Sequence, residues 1–295
     1  MHVNTQQNFS GLIQQFRLSL DWLKTLGVRV HVGRLNAYAR FCDRFERAPV
    51  RNAAILNFAE ISRIVDIWKH RDSLRAMGDF EERIRRIGSS DILHRDDQGH
   101  APRNHLFELF CACWLVDIGM ALEPSIRGDI TAELLGRRYL VECKRPSSEL
   151  SLREQVRDAS AKIRQRLRGR DMGAVLVDLT VLANRDLQHR EAASDNEALH
   201  KTKSHVESIK HAIQELQSTE LQGSADAFIA GYYWAPCWNT SRNDWCVVEQ
   251  WLLLANPQIS YSARYWFDIF ENAVKKHASD KERSRDTSDP SRCSE

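Results

Sequence analysis

Apolar positions recur at helical spacing from early in the chain. Leu12, Ile13, Phe16, Leu20 and Leu23 fall on one stripe, and Gly27 stands where a helix should stop. The same spacing predicts helices over 32–45, 53–68 and 80–87, so residues 1–95 read as an N-terminal helical region. The segment HRDDQGH at 94–100 is polar, carries Gly99 and precedes Pro102, which predicts a connection and a boundary near residue 95. Beyond it the pattern changes to mixed helix and strand. A buried helix is predicted over 103–118, strands over 126–134 and 138–144, a helix over 152–168, and an apolar, β-branched strand over 174–182. A polar loop or weak helix follows at 184–203, then a helix at 206–216, strands at 227–234 and 245–254, and a last helix near 263–274. This order predicts an α/β unit over residues 96–277, followed by a polar, disordered tail at 278–295.

The hairpin around Leu135 and Gly136 fixes a register. With an even loop centred on those two residues, Ile130 opposes Val141, Ala132 opposes Tyr139, and Glu133 meets its opposite charge in Arg138. The same register sets Asp129 across from Glu142, with Cβ atoms about 5 Å apart. It also opposes Arg127 to Lys144, so the strands are expected to splay at that end. Side chains alternate along a strand, so Glu142 and Lys144 share the face of Asp129; an odd loop would separate the acids. Two carboxylates beside an ammonium suit a hard cation such as Mg²⁺ or Mn²⁺. A bound ion of that kind can polarise a phosphodiester and acidify its water, and Lys144 could orient the water or offset charge.

Composition narrows the remaining classes. A hydrophobic fraction of 42% supplies a core. The longest apolar stretch, 106–122, is broken by Glu108 and Asp117, so no membrane helix is expected. The opening MHVNTQQNFSG has neither a basic nor an apolar leader segment, which leaves a cytoplasmic location as the expectation. Seven scattered cysteines suggest neither a disulfide framework nor a zinc site. Net charge is only +2, but segment 137–170 concentrates cations from Arg137 and Arg138 through Arg166, Arg168 and Arg170 beside the acid pair, as a phosphate backbone would require. The aromatic run GYYWAPCWNTSRNDW, with Tyr233, Trp234 and Trp238, reads as core around a proline-containing turn rather than a base-stacking surface. His189, His200, His205 and His211 lack zinc-ligand spacing, and no phosphate-cradling glycine loop is present.

The motif GDI, followed after the hairpin by VECK, resembles the core of the PD-(D/E)xK nuclease superfamily, the restriction-endonuclease-like fold. The resemblance covers about residues 103–182 and implies an α-β-β-β-α-β core with 122–125 as a short first strand. It implies that Asp129 and Glu142 hold metal, Mg²⁺ or Mn²⁺, and that Lys144 positions water. Glu108, embedded in the apolar helix motif NHLFELF on the face of His105, matches the glutamate that often precedes the hairpin in that family. The backbone carbonyl of Cys143 would be a further metal ligand, and Gln155 in the following helix an assistant at the site. Gly128 stands where the family usually has proline. The implied activity is phosphodiester hydrolysis, with DNA favoured over RNA by the family's usual substrates, in a setting of genome defence, repair or mobile elements. A nucleic-acid-binding or scaffold module without catalysis and an RNA-cleaving enzyme are the alternatives. The N-terminal helices are left to read DNA, form a homodimer or contact a protein partner.

Overall fold

A computed structural model of the chain describes residues 2–4, 9–47, 53–87, 101–124, 128–184, 191–194, 227–241, 243–255 and 259–286, with positions 196, 197, 200, 201, 207, 210, 211 and 214 between them. The amphipathic spacing at the start becomes a short strand β1 (His2–Asn4) and helices α1 (Phe9–Thr25), α2 (Gly33–Arg47), α3 (Asn57–Lys69), α4 (Arg71–Leu74) and α5 (Phe80–Ile87). The stop at Gly27 is real: its φ of +78° suits glycine, and the Val28 N–H donates to the Leu23 carbonyl at the end of α1.

Then follow α6 (Ala101–Asp117), β2 (Ala121–Glu123), β3 (Ile130–Leu134), β4 (Arg137–Lys144), α7 (Glu149–Arg166), β5 (Met172–Asp178), α8 (Thr180–Ala183), β6 (Glu191–Ala192), β7 (Ala227–Asn239), β8 (Asp244–Ala255) and α9 (Tyr261–Asp286). The strands form one mixed sheet in the order β1-β8-β7-β5-β4-β3-β2, with β6 added beside β7. β4, β5 and β7 are parallel neighbours, whereas β2-β3-β4 and β7-β8-β1 are antiparallel. The protein is thus α/β, a mixed sheet flanked by helices, with an N-terminal helical region.

Every residue of β5 is buried, as a continuous apolar strand must be when both faces are covered. On one face Tyr139, Val141, Met172, Phe228 and Tyr232 pack with α6, α9 and the N-terminal helices in a single cluster that reaches Ile13, Phe16, Phe41 and Phe58. On the other, Val175, Val177 and Ile229 pack with Leu152, Val156 and Ile163 of α7. Helix α7 lies so close to β5 that a Cβ on Gly173 would come within 2.4 Å of Ile163 Cγ2. The Ser148 side chain caps α7 reciprocally with Ser151, which fixes where the chain leaves β4.

Several elements differ from their sequence expectations. β1 adds a strand to a region read as helical, pairing with β8 through Val3 and Val248. The strand expected over 174–182 ends at Asp178, whose buried carboxylate accepts the Thr180 N–H and turns the chain into α8. The hairpin of β7 and β8 is longer than expected and carries Pro236 inside β7, opposite Val247, rather than in a turn. Pro236 is tolerated because it falls between the stretch of β7 paired with β5, ending at Tyr232, and that paired with β6, beginning at Trp238. The aromatics there are core, as expected: Tyr233, Trp234 and Trp238 are all buried. Helix α9 continues to Asp286, past the point where polar composition predicted disorder. The boundary near residue 95, the splay at Arg127 and most of the helix at 206–216 lie outside the described residues. Among the described residues, no helix is long and apolar enough to cross a membrane.

Candidate active site

The β3–β4 hairpin closes through Leu135 (φ +52°) and Gly136 (φ +80°), two consecutive residues in the left-handed region that match the right-handed twist of the strands. The expected register holds: Ile130 pairs with Val141, Ala132 with Tyr139 and Glu133 with Arg138. It stops one residue short of the acid pair. The Asp129 N–H donates to the Val141 carbonyl at 3.0 Å, and the Cys143 N–H donates at 2.8 Å to Asp129 Oδ2. A side-chain carboxylate therefore takes over where the backbone ladder gives out, and the tie fixes Asp129 against β4. Gly128 makes this approach possible, since a Cβ there would lie 3.0 Å from the Val141 carbonyl oxygen.

At the carboxyl end of β4, between α6 and α7, a cavity of about 280 Å³ opens. Glu108, Asp129, Cys143, Lys144 and Gln155 all line it, together with Asn104, Arg145 and Asp158. Ligand sites in open α/β sheets favour this end of the strands. Five of the six residues singled out from the sequence meet in one cavity, including Glu108 and Gln155 from two different helices. Glu142 is not among the lining residues. Its side chain is 3% exposed, with Oε1 accepting from Arg166 NH1 at 2.6 Å and Oε2 from Lys144 Nζ at 3.3 Å.

The other acids are also held. Glu108 Oε2 accepts from Arg83 NH1 of α5 at 2.6 Å and lies 3.1 Å from His105 Nδ1 on its own helix. Gln155 accepts the Arg145 N–H at 3.1 Å, which anchors the chain directly after Lys144. The Cys143 thiol is hydrogen-bonded with that of Cys111 and is pushed well up by burial, so it stays protonated and packs. Burial first, and then the field of Glu108, raises the Asp129 carboxyl above its ordinary range despite the Cys143 N–H, Lys144 and Arg83. Burial and then Asp129 raise that of Glu142, against the pull of Lys144, Arg166 and Lys162. Burial is thus the leading cause for both acids, with a neighbouring carboxylate next.

No family model, curated protein or solved structure matches this chain. Among the described residues, no group of three or more His, Cys, Asp or Glu side chains is gathered as a metal cluster.

Behind the cavity lies a second charged group that sequence reasoning missed. Arg145 donates from NH2 to Glu60 Oε1 and from Nε to Asp178 Oδ2, both at 2.8 Å. Arg63 NH1 lies 2.8 Å from Asp178 Oδ2 and 3.3 Å from Glu60 Oε1, and Arg63 NH2 donates to Thr180 Oγ1. All four charged side chains are buried, and the Arg63 guanidinium packs over the rings of Phe107, Phe110 and Tyr232. The group joins α3 to the ends of β4 and β5. Arg145 and Arg166 were visible as part of the basic segment, and Asp178, an acid ending an apolar run like Glu142, carried a usable signal. Glu60, Arg63 and Arg83 carried none, because their partners are remote in sequence.

Proposed function

We propose that this chain is a metal-dependent nuclease of the PD-(D/E)xK type that hydrolyses phosphodiester bonds in DNA. The observation that carries the reading is the convergence of Asp129, at the entry to β3, and Lys144, at the end of β4, with Glu108 in one cavity, while Glu142 lies one step behind on the same strand end. The element order α6-β2-β3-β4-α7-β5 supports it, being the order that the resemblance implied.

The donor set fits a hard cation. Asp129 and Glu108 are oxygen donors close enough for one to raise the other's carboxyl, the condition that a divalent ion relieves. Asp129, Glu108 and Glu142 would hold the Mg²⁺ or Mn²⁺, with the Cys143 carbonyl beside them. When bound, such an ion supplies Lewis-acid stabilisation of the extra phosphoryl charge and a more acidic water. Lys144 presents an ammonium at the cavity wall, where it can hold an attacking water in place and offset developing negative charge. Gln155 fixes the backbone after Lys144 and so keeps that ammonium in position. Asp129, tied to the Cys143 N–H, keeps one oxygen oriented along β4.

A second reading, a nucleic-acid-binding module of the same fold without catalysis, is favoured by one feature: Arg83 and Arg166 occupy Glu108 and Glu142 as ion-pair partners. Incubating the purified chain with plasmid, linear duplex, single strands and RNA, in Mg²⁺, Mn²⁺ or EDTA, separates the readings. The nuclease reading expects cleavage of DNA that EDTA and Lys144→Ala each abolish. Cleavage indifferent to both sinks the mechanism, binding without cleavage favours the module, and cleavage of RNA alone reassigns the substrate.

A further inference from the structure

The cations that pair with the site acids differ in how firmly they are set. Arg83 is 10% exposed and doubly bonded, to Glu108 and Asp79, and Lys144 is 14% exposed. Arg166 is 41% exposed, yet its guanidinium reaches the almost inaccessible Glu142. It projects from the last turn of α7, where a positive charge is favoured by the helix end whether or not it pairs with Glu142. Arg164, Arg168 and Arg170, its neighbours in sequence, are all exposed. The pair is exposed on one side alone: water reaches the guanidinium but not the carboxylate, so Arg166 can leave only when another positive charge takes its place on Glu142.

We propose that Arg166 is an exchangeable counter-ion: it neutralises Glu142 in the empty site, and on substrate binding it transfers to a backbone phosphate of the DNA next to the cut. This rests on the nuclease reading above. The chemistry suits the exchange. Glu142 has each oxygen engaged by one cation, whose like charge opposes a metal ion on the remaining lone pairs, and Arg166 is the cation with solvent access. The planar guanidinium then presents a fork that matches phosphate oxygens as well as it matched a carboxylate. Arg166 thereby discriminates the loaded site from the empty one, and it couples metal entry to phosphate binding.

The test uses the whole chain and two binding measurements that need no turnover. Mn²⁺ alone is titrated calorimetrically into the wild type, Arg166→Gln, Arg166→Lys and Glu142→Gln. Binding of a short fluorescein-labelled DNA duplex is then followed by anisotropy in Ca²⁺ across a salt series. Removing the competing charge should tighten Mn²⁺ about fivefold in Arg166→Gln, leave Arg166→Lys near the wild type, and weaken Mn²⁺ in Glu142→Gln. Duplex affinity should fall in Arg166→Gln, with the salt dependence reduced by about one phosphate contact. Equal or weaker Mn²⁺ binding in Arg166→Gln, with Glu142→Gln still impaired, overturns the exchange while leaving the site reading intact. An unchanged salt slope overturns the transfer to phosphate. Wild type and Glu142→Gln binding Mn²⁺ alike would overturn the underlying nuclease reading instead.

Discussion

Glu60→Gln removes one charge from the buried group behind the cavity, and the expected loss can be worked from its contacts. Glu60 Oε1 lies 2.8 Å from Arg145 NH2 and 3.3 Å from Arg63 NH1, with both arginines and the acid almost inaccessible. Burial alone would raise the carboxyl. Arg145 and then Arg63 overrule it and hold the group at about 2, against an ordinary value of 4.5. That difference corresponds to about 3 kcal/mol of stability at neutral pH, at roughly 1.4 kcal/mol per unit. Because the folded value is depressed, this contribution is fully present above pH 4.5 and is lost as pH falls through about 2. At pH 3 only about 1 kcal/mol should survive.

Glutamine keeps the shape and one hydrogen-bonding oxygen but does not titrate, so the wild type and Glu60→Gln should converge as the solution is acidified. Urea unfolding followed by circular dichroism, at pH 7 and again near pH 3, measures both gaps. A deficit below about 1 kcal/mol at pH 7, or one that stays the same at pH 3, would refute the reasoning: the arginines would then be solvated rather than committed to Glu60.

Three further outcomes are expected. Gly173→Ala places a Cβ 2.4 Å from Ile163 Cγ2 and 3.1 Å from the Ala227 Cβ, so urea unfolding should show a loss of about 1–3 kcal/mol; an unchanged midpoint would mean that α7 does not lie as close to β5. Leu135→Asn puts a residue tolerant of positive φ at a turn position now held by an exposed leucine at +52°, and should raise the thermal midpoint by the equivalent of up to about 1 kcal/mol; a lower midpoint contradicts the turn assignment. Mn²⁺ should raise the thermal midpoint at neutral pH, by the equivalent of about 3 kcal/mol at a hundredfold excess over Kd. The Asp129 and Glu142 carboxyls are raised, so their ionised forms oppose folding, and protonation relieves them as pH falls through those raised values. The Mn²⁺ effect should fade over the same interval, and scanning fluorimetry showing a pH-independent shift, or a full shift in Asp129→Asn, would contradict the assignment.

Local pattern made the hairpin legible, because a two-residue turn and alternating burial leave one register, and the pairs from Ile130 to Leu134 are those it dictates. Helix α6 was legible for a similar reason: Glu108 in an apolar run demands a partner, and Arg83 and His105 supply it. What alternation could not give was the departure at Asp129. Strand periodicity assumes that the ladder continues, whereas here a carboxylate replaces a carbonyl as the acceptor for the Cys143 N–H. Nor could it give Glu142's partner, since Arg166 lies at the far end of the crossover helix and only the packing of α7 on β4 and β5 brings it near. Pro236 misled for the opposite reason. Its missing N–H argues for a turn only where both sides of the strand must be paired, and β7 has a gap in its pairing there.

The N-terminal helices were separated in the sequence by a change of pattern, and the structure ties them to the site through charge as well as through the shared apolar cluster. Arg83 of α5 sets the carboxylate of Glu108, while on α3 Glu60 grips Arg145, the residue next to Lys144, and Arg63 grips Asp178 at the end of β5. Both ties are buried on both partners, whereas in the Arg166 pair solvent reaches the guanidinium. The N-terminal helices thus hold a cavity-lining acid on α6 and the residue that follows β4 by separate ties. The cations paired with site acids from α7, Arg166 and Lys162, are half-exposed, whereas those on the side of the N-terminal helices are buried. Under the exchange proposed for Arg166, these buried ties would hold the strand that carries Glu142 and Lys144 in place while the guanidinium changes partner.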